Sequence, residues 1–139
     1  MTVELPEGYR PSADEPFMND KQKEFFRRKL VAWREELLHE SAETLDNLKQ
    51  GGMTVPDISD RASAEADKAL ELRTRDRMRK VISKIDAALD RIEDGTYGYC
   101  EETGEPIGLE RLIARPIATM TVEAQERHER MEKTYNDDD

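Results

Sequence analysis

With one cysteine, little apolar residue and no long apolar run, this sequence excludes several protein classes at once. The single thiol, Cys100, cannot close an internal disulfide, which agrees with a reducing compartment. No stretch approaches the ~20 apolar residues of a membrane span. The first twenty residues carry Pro6, Pro11 and Pro16 among acids and lack the basic start and apolar core of a secretory signal, so a cytoplasmic protein with no membrane contact is expected. There is no Ser-His-Asp or Cys-His grouping and no glycine loop that would cradle a phosphate, and no enzyme is expected. Basic residues are too few for duplex DNA: 22 Lys and Arg against 32 Asp and Glu give a formal net charge of −10, whereas non-specific binding needs a basic face to neutralise phosphates. Hydrophobic residues make up 36% and charged ones 39%, which suits an elongated helical body better than a large core.

What is present is periodic. Phe26, Leu30, Trp33 and Leu37 fall at spacings of four, three and four, and Leu38, Ala42, Leu45 and Leu48 continue the stripe. A helix is predicted from Asn19 or Asp20, either of which caps backbone amides, to about Gln50. Gly51-Gly52 and Val55-Pro56 interrupt it, since neither pair continues a helix comfortably. A second helix runs from beyond Pro56 to Asp94-Gly95, with Met78, Ile82, Ile85, Leu89 and Ile92 in a heptad-like series. The break therefore reads as the turn of an antiparallel coiled-coil hairpin, residues 19–94 with a tip at 51–61. Arms of about 30 residues would hold that tip roughly 45 Å from the rest of the molecule.

Before the hairpin, residues 1–18 form an irregular arm whose apolar handles are Tyr9, Phe17 and Met18. After it, glycines and prolines among Tyr97, Tyr99, Ile107, Leu112, Ile113 and Ile117 predict a small module of turns and two short strands over 95–121. A C-terminal helix over 122–135 and a frayed tail, 136–139, complete a mainly α chain without internal repeats. Within the second helix, Arg73, Arg75, Arg77, Arg79 and Lys80 concentrate positive charge on an acidic protein. This belt is either a solvated surface with ion pairs to the first helix or a docking patch for an acidic or phosphorylated partner.

The run Tyr97-Gly98-Tyr99-Cys100-Glu101-Glu102-Thr103-Gly104-Glu105-Pro106-Ile107-Gly108, with Arg111-Leu112 and Ala114-Arg115-Pro116 after it, resembles the C-terminal zinc finger of the DksA/TraR family. Phe17-Met18-Asn19, Phe26-Arg27-Arg28, Ala32-Trp33-Arg34, Leu72-Arg73 and Arg75-Asp76-Arg77 extend the resemblance over nearly everything beyond residue 15. The usual family finger holds zinc through C-x2-C, x17, C-x2-C. The aligned positions here are Cys100, Thr103, Thr121 and Ala124, so three of four thiolates are gone, and His128, one turn past Ala124, does not rebuild a site. The module is expected to fold without zinc, held by aromatic and aliphatic packing, with Cys100 as a small buried hydrophobe.

The resemblance implies a monomeric regulator in the stringent response that inserts its hairpin into the secondary channel of RNA polymerase. There it would alter promoter-complex lifetime together with the effector ppGpp, repressing ribosomal RNA promoters and activating others, without reading DNA. Asp57, Asp60 and Ala62 match the family's tip pattern. Arg77 matches a polymerase-docking position, and Val81, Lys84 and Arg115 match positions that contact ppGpp. Thr54 in place of asparagine and Gln125 in place of lysine depart from the pattern, and the lost cation weakens ppGpp binding unless a neighbour such as Arg127 compensates. The tip acids also have a structural reading, Asp57 as the N-cap of the second helix and Asp60 in its first turn. Two other functions stay open: a coiled-coil adaptor acting away from polymerase, and a transcript-cleavage factor whose tip holds a metal ion, although Asp57 and Asp60 stand without a third acid nearby.

Overall fold

Asn19 starts the first long helix. Its Oδ1 accepts the Gln22 amide at 2.9 Å, and α1 then runs Asp20–Gly51. The computed structural model describes residues 3–51 and 58–137, without the side chains of 44–45, 47–51, 58–61 and 135–137. The other helices are α2 (Ile58–Asp94), α3 (Leu109–Ala114) and α4 (Val122–Asp137).

The chain divides into two compact units, residues 31–86 and residues 1–30 with 87–139. In the first, α1 and α2 form a hairpin. Arg34 Nε donates to Asp86 Oδ1 at 2.8 Å across the pair. The six residues 52–57 that join the helices reach only about 20 Å, too short to return along a long helix, so the pair runs antiparallel. Ile85 is fully buried, and Trp33, Leu37, Met78 and Ile82 are half-buried. Ala62, Ala66, Ala69, Leu70 and Leu72 are all exposed, so these apolar residues of α2 form no core.

The second unit is built around Phe26, Leu30, Ala88, Ile92, Tyr97, Ile107 and Leu112, all buried. Phe26 meets Phe25 edge-on at 5.2 Å and Tyr97 at 5.6 Å. The arm docks through the three handles read from sequence. Tyr9 packs edge-on against Phe25 at 6.3 Å, Phe17 against Tyr99 at 5.5 Å, and Met18 lies against Gly98. Gln22, fully buried, ties the arm down by accepting the Met18 amide at 2.8 Å and donating to the Ser12 carbonyl at 3.2 Å. Glu24, 7% exposed, is held by Arg27 in two bonds of 2.6 and 2.8 Å and by Arg28 at 2.8 Å. The Arg27 guanidinium, against the opposing effect of burial and with help from Arg28, pulls the Glu24 carboxyl down to about 2.

The α2 helix stops just before Gly95, whose φ of 84° lets the Thr96 amide fold back onto the Arg91 carbonyl at 3.0 Å. Beyond it the two short strands expected from sequence are absent among the described residues. A single antiparallel bridge, Tyr99 with Pro106, stands in their place, because the intervening turn is closed within itself: the Cys100 amide reaches the Glu105 carbonyl and the Gly104 amide the Cys100 carbonyl, both at 2.8 Å. The same region contains α3, a six-residue helix that sequence reading missed. Asn136 and Asp137, expected in the tail, belong to α4.

Candidate functional site

Of the predicted tip, Asp57 and the neighbouring Thr54 lie outside the described residues. Asp60 falls within α2 by its backbone, its side chain outside the description, and Ala62 is exposed. Further along α2, Arg77, Val81 and Lys84 follow at i, i+4 and i+7, which puts them on one helix face. Arg77 and Lys84 are exposed and Val81 half-buried. Arg73, Arg75, Arg79 and Lys80 are exposed too. Among the described residues the belt makes one ion pair, Arg75 with Glu71 at 3.8 Å within α2, and none to α1. The reading of the belt as a partner of the first helix thus has no support there. Its charges face water, where they are open to an external acid or phosphate.

Arg115 belongs to the other unit. It is the exposed C-cap residue of α3, with its amide on the Arg111 carbonyl at 2.7 Å. The segment that carries it is fastened repeatedly. Tyr97, whose buried hydroxyl donates to the Pro116 carbonyl at 2.8 Å, holds one end, and Arg111 Nε on the Met120 carbonyl at 3.0 Å holds the other. Between them the Glu101 amide bonds the Thr119 carbonyl at 2.9 Å. Lys29 Nζ caps the Ile113 carbonyl at 2.8 Å and seats α3 on α1.

Cys100, Thr103, Thr121 and Ala124 align with the four zinc ligands of the family's finger. Ala124 is fully buried and has no donor to offer. Thr121, 8% exposed, has its Oγ1 committed as acceptor to the Ala124 amide at 3.2 Å. Thr103 is exposed, and its hydroxyl oxygen accepts the Glu105 amide at 3.3 Å. Cys100, 3% exposed, is the one thiol. Burial pushes that thiol up, but the Thr103 hydroxyl and the backbone amides of Thr121, Thr103 and Glu102 favour its thiolate and bring it down to about 7. Cys100 is thus buried as expected, in surroundings that favour its thiolate. These residues do not fit tetrahedral zinc, and among the described residues no cluster of three or more His, Cys, Asp or Glu is placed to hold a metal.

Residues 22–92 match the family model for the DnaK suppressor protein DksA, N-terminal domain, and residues 95–130 that for the prokaryotic dksA/traR C4-type zinc finger. The chain belongs to the DksA/TraR family. Among DksA proteins, it is 68% identical over 130 residues to the RNA polymerase-binding transcription factor DksA of Caulobacter vibrioides strain NA1000 / CB15N, covering 94% of this chain and 92% of that one. The protein of the same name from Escherichia coli strain K12 is 42% identical over 127 residues, covering 91% and 84%. The solved structure of transcription factor DksA2 from Pseudomonas aeruginosa superposes with a TM-score of 0.79 at 40% identity, covering 89% of this chain and 94% of that one. The mainly α architecture of hairpin, finger-like module and terminal helix is thus the DksA fold. None of the described helices is long and apolar enough to cross a membrane.

Proposed function

We propose that this chain is a transcription regulator that binds RNA polymerase and modulates promoter complexes through its helical hairpin, without reading DNA. The observation that carries the proposal is identity to a named RNA polymerase-binding factor sustained over 94% of the chain. The acidic balance agrees with a protein that finds its partner rather than the duplex. In this reading the hairpin enters the secondary channel, and Asp57, Asp60 and Ala62 act at its tip near the catalytic centre. Arg77 docks on the polymerase surface, with the exposed belt supplying charge around it.

Val81, Lys84 and Arg115 contact ppGpp at the interface between factor and polymerase, the two cations meeting its phosphates. Exposure of both Lys84 and Arg115 supports this assignment. The factor acts as a cytoplasmic monomer, represses ribosomal RNA promoters and activates others. Zinc has no part in it.

Transcription in vitro from a ribosomal RNA promoter, with purified polymerase and with or without ppGpp, tests the proposal. The wild-type chain should shorten promoter-complex lifetime. Asp57→Asn with Asp60→Asn should keep polymerase binding and lose the effect. Unchanged activity in that double variant would favour an adaptor role, and shortened transcripts from halted complexes would revive the cleavage factor.

A further inference from the structure

A four-cysteine finger closes because one metal joins two distant pairs of thiolates. The chain at hand keeps one of the four, so something else must join the 100–105 turn to the start of α4. Thr121 is where that substitution is visible. Its Oγ1 accepts the Ala124 amide at 3.2 Å and its carbonyl accepts the Gln125 amide at 2.9 Å, the arrangement of a helix N-cap. Ala124 is fully buried, and without the hydroxyl its amide would have neither protein nor water as partner. The two residues before the cap are already fixed, Thr119 to the turn through Glu101 and Met120 to α3 through Arg111. The cap therefore completes a continuous tether from the turn to α4.

We propose that Thr121 does by helix capping what a zinc-bound thiolate at this position does in a four-cysteine finger, and that the module is for this reason indifferent to zinc. The residue type itself is the device. A threonine oxygen is a strong acceptor at an N-cap, whereas a cysteine sulfur is a weak one. Restoring the family's ligand at this single position would remove the cap without gaining a metal site, because Ala124 still donates nothing.

The test uses the full chain and three substitutions. Thr121→Val keeps the shape and removes the acceptor, Thr121→Ser keeps the acceptor, and Thr121→Cys supplies the thiol. Hydrogen exchange at the Ala124 amide should quicken about 5-fold in the Val and Cys proteins, the factor that a typical cap loss of ~1 kcal/mol implies, and stay at the wild-type rate in the Ser protein. Added zinc or a strong chelator should leave the melting temperature of all four proteins unchanged. Should Thr121→Val fail to fold, a natively protected Thr121→Ser protein supports the cap, and an unfolded one refutes it. The proposal is overturned if the wild-type chain carries one zinc per molecule and melts lower after chelation, or if Thr121→Val protects Ala124 as well as wild type does.

Discussion

Gly98→Ala should be among the most damaging single-methyl changes in the protein, and the structure says by how much and why. Gly98 sits at φ 91°, in the left-handed region, where a side chain costs about 1–2 kcal/mol. A Cβ there would also lie 3.0 Å from Met18 Cγ, 3.2 Å from Met18 Sδ and 3.3 Å from Phe17 Cζ. Met18 has little freedom to withdraw. It is itself left-handed at φ 55°, 8% exposed, and tethered through its amide to Gln22 at 2.8 Å. Overpacking of this kind adds about 1–3 kcal/mol, so a total loss of roughly 2–5 kcal/mol is expected. Gly95→Ala is the internal control, since Gly95 has φ 84° but nothing within 4 Å of its Cβ position, and it carries the backbone term alone. Urea unfolding gives the two losses, and limited proteolysis within residues 3–18 reports whether the arm has been released. Equal losses for the two alanine variants, with the arm equally protected, would refute the claim that Gly98 is held by contact with Met18.

Tyr97→Phe removes the buried hydroxyl bond to the Pro116 carbonyl and leaves the ring in place. A loss of about 1 kcal/mol in urea unfolding is expected, and a neutral outcome would show that the bond does not anchor the Arg115 segment. Glu24 tests the pH dependence. Its folded carboxyl is depressed to about 2 from an ordinary 4.5, so it stabilises the fold above about 4.5 and ceases to do so as pH falls toward 2. The difference in urea midpoint between wild type and Glu24→Gln should be largest near pH 6 and shrink progressively below 4.5. A difference independent of pH would mean that Arg27 and Arg28 do not hold the carboxylate.

Much of this fold is written in local pattern. The apolar series from Phe26 and the heptad from Met78 to Ile92 specify helices, and Gly51-Gly52 and Val55-Pro56 mark where they part. Asn19 as the cap of α1 was legible for the same reason, because capping is a contact between near neighbours. Helix α3 was not legible, since six residues carry too few turns for a period to show. Thr121 carries a usable signal, a hydroxyl residue just before Val122-Glu123 at a helix start, although the family resemblance marks the same position as a lost zinc ligand.

The sequence by itself determined the long helices, the break between them, the sign of the charge and the loss of zinc ligands, all of which depend on residues close together or on composition. Only the tertiary structure decided that Gln22 bridges Met18 and Ser12, that the basic belt of α2 makes no ion pair to α1 among the described residues, and that the Tyr97 hydroxyl and the Glu101 amide fasten the segment before α4 through Pro116 and Thr119. These outcomes join groups far apart along the chain or turn on which side chains are left facing water, and neither is fixed until the helices and the finger have packed.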